Sequence, residues 1–168
     1  MGVALAVDGA AFSIYTSEGF HQRCITVDER VARDNKNEIV VPDYDAVGAM
    51  VAIARAAIKT VKLFKVRHVG IKGYVHDTQR KMYQIGEISG VLKAYLLTTR
   101  GIVPEMVSFA LAKKHVTGSR HMVSQAILME VVEQGLGVKV QNHLEADATI
   151  VARFLFDKTA VKEKEIDE

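Results

Sequence analysis

Hydrophobic positions in the first part of the chain recur at short range, and later ones recur every three or four residues. Val3-Ala-Leu-Ala-Val7 is a continuous apolar run ending in Asp8-Gly9; it predicts a buried strand over residues 3–8, with the chain turning away at the glycine. Phe12-Ser-Ile-Tyr-Thr16 alternates and predicts a hairpin partner, and residues 23–28 predict a third short strand. Residues 28–42 are polar until Val40-Val41-Pro42. Pro42-Asp43 then opens a helix, with Asp43 as its N-cap. Val47, Met50, Val51, Ala54, Ile58 and Val61 follow the helical period, which ends at Lys65-Val-Arg67. The stretch from His68 to Val75 predicts the next strand. A helix between two strands is the mark of a crossover and a parallel pair.

A second helix is predicted over residues 80–99, with Met82, Ile85, Ile88, Leu92 and Leu96 on one face. Gly86 and Gly90 stand four apart on it, which predicts close approach by another backbone, from a second subunit or from the chain's own sheet. Gly101 stops that helix, and residues 102–107 form a short strand that Pro104 pushes towards an edge or a bulge. Ser108 caps a helix over 109–114, and residues 117–120 turn. A further helix over 120–134 has Met122, Ala126, Met129 and Val132 in period and ends at Gly135. The last helix covers 143–156, with Leu144, Ala148, Val151 and Leu155 facing inward. Three hairpin strands followed by alternating helices and strands describe an α/β domain over 1–156, with a charged tail over 157–168 that is frayed helix or disordered. The expected architecture is a five-stranded mixed sheet with helices on both faces, the element order of the ribonuclease H-like fold.

Composition narrows this reading. At 168 residues and 49% apolar content the chain forms one domain with a real core. No apolar run approaches the roughly 18 residues that span a bilayer, so no membrane partner is expected. The single Cys24 excludes an internal disulfide, reads as a strand core residue and suits a reducing, cytoplasmic setting. Net charge is only +2, but Lys and Arg cluster at 55–72, 79–81 and 113–120, which permits nucleic-acid binding.

Five segments carry a resemblance. Val3-Ala-Leu-Ala-Val-Asp8 is followed by Val69-Gly-Ile-Lys-Gly-Tyr74, Ile85-Gly-Glu-Ile-Ser-Gly-Val-Leu92, Lys113-Lys-His-Val-Thr-Gly118 and Glu145-Ala-Asp-Ala148. In this order and at these distances they resemble the RuvC family of Holliday junction resolvases, in the ribonuclease H-like superfamily, with a length closer to a phage-type member than to the bacterial housekeeping enzyme. The resemblance spans about residues 3–155. It implies a homodimeric endonuclease in a bacterial or phage-infected cell, cutting two strands of branched, four-way DNA symmetrically with Mg²⁺ or Mn²⁺. Two hard cations about 4 Å apart activate a water and stabilise the leaving oxygen, and several carboxylates must balance their charge.

Carried over residue by residue, the match is incomplete. Asp8 and Asp147 fit the first and last metal-holding acids. Lys72 stands where the family has Glu, and Leu144 where it has a further acid or His. Residues i and i+4 of a helix share a face and i and i+2 do not, so His143 lies beside Asp147, whereas Glu145 joins it only if the first turn is frayed. An ammonium about 4 Å from a divalent cation is repelled by about 8 kcal/mol even at an effective dielectric of 20. Lys72 therefore blocks a metal, or pairs with Asp8 or Asp147 in its place, or turns outward through a register slip. A glutamate changed to lysine to silence a nuclease and a natural member that has lost catalysis would both read this way.

For DNA, the resemblance implies an aromatic in the loop after the second active-site strand; Tyr74 is nearest, and stacking on a base contributes about 1–3 kcal/mol. Arg80, Lys81, Lys113, Lys114 and Arg120 are the candidate phosphate contacts. Three functions follow: a junction-directed nuclease with impaired catalysis, a non-catalytic junction-binding protein on the same scaffold, and a sugar-kinase-like nucleotide-binding fold. Against the third, the chain is short for paired domains and has no second glycine-rich phosphate loop.

Overall fold

The computed structural model describes residues 1–6, 9–16, 19–27, 38–41, 46–73, 79–119 and 124–166; residues 25–27, 38–41, 46, 79–81 and 161–166 are described by their backbone alone. Strands β1 (Gly2–Ala6), β2 (Gly9–Thr16) and β3 (Gly19–Val27) form an antiparallel meander in which Val3 lies opposite Phe12 and Phe12 opposite Arg23. Strand β5 (Gly70–Lys72) joins β1 in parallel, and β6 (Glu105–Val107) joins β5 in parallel. These are the five expected strands. A sixth, β4 (Glu38–Val41), pairs in parallel with β3, giving the sheet order β4-β3-β2-β1-β5-β6.

Helices α1 (Ala46–Leu63) and α2 (Gln79–Arg100) cover one face. Side chains alternate along each strand, so Val3, Leu5, Phe12, Ile14 and Ile71 all point to that side. They meet Met50, Ile53, Ala57 and Val61 of α1 and Ile88, Leu92 and Leu96 of α2. The inward stripe of α1 is turned relative to the expected one: Ile53 and Ala57 are fully buried, and Val47 is exposed. Gly86 and Gly90 do not touch the sheet, because a Cβ on either would meet nothing within 4 Å.

The other face carries α3 (Phe109–Thr117), α4 (Gln125–Leu136) and α5 (His143–Ile166). Here the sheet offers small residues, Gly2, Ala4 and Ala11, against Ala148 of α5. A Cβ on Gly2 would overlap the Ala148 carbonyl oxygen and the Ala152 nitrogen, so the glycine is what lets the helix backbone lie directly on β1.

Helix boundaries differ from the expected ones in three helices; α3 runs on to Thr117 instead of ending at Lys114. The α4 helix starts at Gln125, because Ser124 Oγ accepts from Ile127 N as its N-cap. It passes through Gly135 and stops at Gly137, whose φ of 66° is the left-handed cap conformation. The α5 helix does not end at Phe156 but continues to Ile166, through the expected domain boundary; Arg153 pairs with Asp157 one turn on, and Lys158 reaches Glu105 of β6. Asp43 and Met122 lie outside the described residues.

Candidate active site

The three residues of β5 align Gly70 with Gly2 and Ile71 with Val3. Ile71 enters the α1–α2 side, so Gly70 and Lys72 face α5 and no register slip turns Lys72 outward. Gly70 has no side chain between the sheet and Val151 and Leu155, which keeps α5 close. Asp147 sits in the second turn of α5, between Ala146 and Ala148.

These placements bring Lys72 Nζ to 2.5 Å from Asp147 Oδ2. The Asp147 side chain is 7% exposed and that of Lys72 27%. Lys72 Nζ also lies 4.5 Å from the centroid of the Phe109 ring, at the start of α3, so an aromatic face covers the ammonium on one side. Lys113, buried on α3, and His143, the first residue of α5, add positive potential at the Asp147 carboxylate. Burial pushes the Asp147 carboxyl above its ordinary value of 3.8; Lys72, His143 and Lys113 pull it back only in part.

Glu145 takes a different path. Because α5 begins at His143, Glu145 lies in its first turn, two residues from Asp147 and therefore on another flank. Its Oε2 accepts from Gln141 N at 2.7 Å, and its own N–H donates to Asn142 Oδ1 at 3.0 Å. Asn142 is thus the N-cap of α5, and the Glu145 side chain reaches back past it to the Gln141 N–H. The buried Glu145 belongs to the helix start and not to the Asp147 pair. Behind it, the Gln22 amide lies between Thr149 Oγ1 (2.9 Å) and the oxygens of Glu145 (3.1 Å) and Lys139 (3.3 Å), its nitrogen towards the latter two. Thr149 in turn donates to Glu145 O at 2.7 Å.

The remaining candidates are placed unequally. Lys114 is exposed, and its carbonyl accepts from Gly118 N, the left-handed cap of α3. Arg80 and Lys81 lie in the first turn of α2, described by backbone alone. Asp8, Tyr74 and Arg120 lie outside the described residues; the strand ends on either side of Asp8, Ala6 and Gly9, are register partners. Phe109 and Asn142 were not singled out from sequence. Asn142 carried a readable signal, an Asn three residues before Glu145 ahead of an apolar helix.

Two adjacent hard cations need several oxygen ligands. Among the described residues no three of His, Cys, Asp and Glu come together to hold a metal ion, and Asp147 is already satisfied by an ammonium. The described residues do not fit a two-metal centre.

No known sequence family and no curated protein matches the chain. Solved structures do. Thermus thermophilus RuvC in complex with a Holliday junction substrate matches with a TM-score of 0.69 at 14% identity, over 91% of this chain and 89% of that one. Another Thermus thermophilus RuvC structure matches at 0.66 and 14% identity, over 94% and 95%. The yeast mitochondrial Holliday junction resolvase Ydc2 matches at 0.54 and 11% identity, over 91% and 75%. The fold is therefore the RuvC-like form of the ribonuclease H-like α/β architecture.

Proposed function

We propose that this chain acts on branched DNA as a structure-selective endonuclease of the resolvase type, hydrolysing phosphodiesters at four-way (Holliday) junctions, and that Lys72 impairs the hydrolysis. The observation carrying this reading is that Lys72 and Asp147 meet on the α5 face, one at the position of a family acid and the other at that of the last acid. Asp8 and Asp147 are the residues that would hold Mg²⁺ or Mn²⁺ once Lys72 is removed, and the ion would supply charge for the attacking water and the leaving oxygen. In the chain as it stands, the Asp147 carboxylate is bound to an ammonium, so it is not available to an ion. His143 assists from the start of α5, and Lys113, next to Asp147, neutralises the phosphate being cut. Lys114, Arg120, Arg80 and Lys81 hold neighbouring phosphates, and Tyr74 stacks on a base at the branch.

A homodimer would place two such sites on one junction. The outer side of α2 suits that contact: Gly86 and Gly90 are open, and Tyr83 and Leu97 are exposed beside them. The Lys72–Asp147 pair also favours a second reading, in which the same scaffold binds junctions without cutting them.

The test is competition between a synthetic four-way junction and linear duplex of the same sequence. The proposal expects the junction to be preferred by at least about tenfold, with affinity falling steeply as salt rises. Equal affinity for the two DNAs, or none for either, rules out both readings.

A further inference from the structure

A groove among the described residues lies away from the Lys72–Asp147 pair. It lies on the other flank of α5, between that helix, β3 and the segment joining α4 to α5, with a volume of about 660 Å³. Gln22 and Cys24 line it from β3, Tyr15 from β2, and Lys139, Asn142 and Glu145 from the other wall. Alternate residues of β3 face one way, so the groove side of that strand consists of Phe20, Gln22 and Cys24 in a row.

We propose that this groove takes one unpaired nucleobase of a branched DNA strand, which rests on the branched-DNA reading above. The chemistry of the walls selects a base over a phosphate. The buried Glu145 carboxylate at the inner wall repels an anion, while Asn142, with one amide hydrogen on Cys24 Sγ and one lone pair on Glu145 N, keeps a second of each for a neutral acceptor or donor, and Gln22 keeps one carbonyl lone pair. Tyr15 and Phe20, 4.5 Å apart between ring centroids and tilted by 55° to each other, line it with aromatic surface for contact with a flat ring. The exposed Lys139 at the rim is placed for the phosphate of the same nucleotide. Strands β3 and β5 are three spacings apart in the sheet, about 14 Å. That is about four steps of a B-form strand at about 3.4 Å each, so one strand crossing the N-terminus of α5 spans both places. Its phosphate lies by Lys72 and Lys113 while a base a few nucleotides away leaves the stack and enters the groove. Such a pocket reads a base by hydrogen bonds and makes binding depend on sequence near the branch.

Cys24 is the only cysteine of the chain and lines the groove, so it reports occupancy directly. Its reaction rate with a small thiol reagent should fall by about fivefold or more when a four-way junction is bound, and stay unchanged with linear duplex. In parallel, 2-aminopurine is placed at successive positions near the branch of the same junction. One position should change fluorescence on binding, and Gln22→Met and Lys139→Ala should each abolish that change when read at protein concentrations that saturate the junction. Lys139→Ala, at the rim, covers the case in which Gln22→Met disturbs the fold; if Cys24 proves unreactive in the free protein, the 2-aminopurine scan decides. A bound junction with no protected thiol and no responsive position overturns the proposal and leaves the branched-DNA reading standing. Protection of Cys24 by deoxynucleoside monophosphates with no junction binding supports the pocket and removes that reading. Neither protection nor binding overturns both.

Discussion

The two faces of the sheet are built from opposite materials. Towards α1 and α2 the strands present Val3, Leu5, Phe12, Ile14 and Ile71, and the helices answer with Ile53, Leu92 and Leu96. Towards α5 they present Gly2, Ala4 and Ala11, together with Ser13, Gln22 and Lys72. On the first face, the polar groups Thr60 and Ser89 are buried with hydroxyls that have no hydrogen-bond partner among the described residues. On the second, Ser13, Gln22, Glu145 and Thr149 are joined by hydrogen bonds, and Asp147 is bonded separately to Lys72. One side holds the fold by excluded water; the other brings a helix close enough to the sheet for chemistry and satisfies what it buries.

The sharpest way to break this contrast is to empty the apolar face. Phe12→Ala should destabilise by about 3–5 kcal/mol, because the rigid surroundings keep much of the cavity. A thermal melt would show a midpoint lower by roughly 6–20 °C. A loss below about 1 kcal/mol would mean that α1 and α2 do not carry the fold.

Next in size is the ion pair. Lys72→Met leaves a buried carboxylate without its partner and should cost about 1–3 kcal/mol in urea unfolding. Adding Asp147→Leu should recover most of that loss, because burying a charge pair gains little over apolar packing. A double variant as unstable as the single one would mean that the pair is there for stability and not for function.

Two acids on α5 should respond to pH in opposite senses. The Asp147 carboxyl titrates above its ordinary 3.8 in the folded chain, because burial outweighs the neighbouring cations. Between 3.8 and that raised value the folded state holds more protons than the unfolded one, so this contribution to stability is full below 3.8 and is lost as pH rises through it. Burial also pushes Asp157 up, but hydrogen bonds from Arg153 and His115 outweigh it and hold that carboxyl below 3.8. Its contribution is present above 3.8 and is lost as pH falls through the lower value. Relative to the native chain, Asp147→Asn should therefore gain stability as pH rises, and Asp157→Asn as pH falls. Unfolding free energies from acid to neutral pH measure both slopes.

The smallest effect is expected where a hydroxyl has no partner among the described residues. Thr60→Val should be neutral or stabilising by up to about 1 kcal/mol, since nothing is lost but a desolvated hydroxyl. The same exchange at Thr149, Thr149→Val, should destabilise, because that hydroxyl bonds the Glu145 carbonyl and Ser13.

The apolar face was the more legible one. Val3 to Leu5, the alternation through Phe12 and Ile14, and the repeat Ile85, Ile88, Leu92, Leu96 are periodic signals that packing then obeys. Strand β4 escaped notice because Glu38-Ile-Val-Val41 is four residues long, follows a polar stretch and is held by parallel pairing with β3. The continuation of α5 looked like a charged tail, yet Lys, Glu and Ala are strong helix formers. On the α5 face, the rule that i and i+2 do not meet separated Glu145 from Asp147 in advance, and the mismatch at Lys72 marked where to look. The groove had no such signal, because β3 and the α4–α5 segment come together only in the folded chain.

The most direct test of what the α5 face is for is cleavage of a synthetic four-way junction with Mg²⁺ or Mn²⁺, by the native chain and by Lys72→Glu. The account predicts little or no cutting by the native chain. It predicts a gain of at least about a hundredfold for Lys72→Glu, the scale on which one misplaced charge contact costs an enzyme. If Lys72→Glu binds the junction but cuts no faster than the native chain, or if the native chain already cuts at full rate, then Lys72 does not hold the place of a cation.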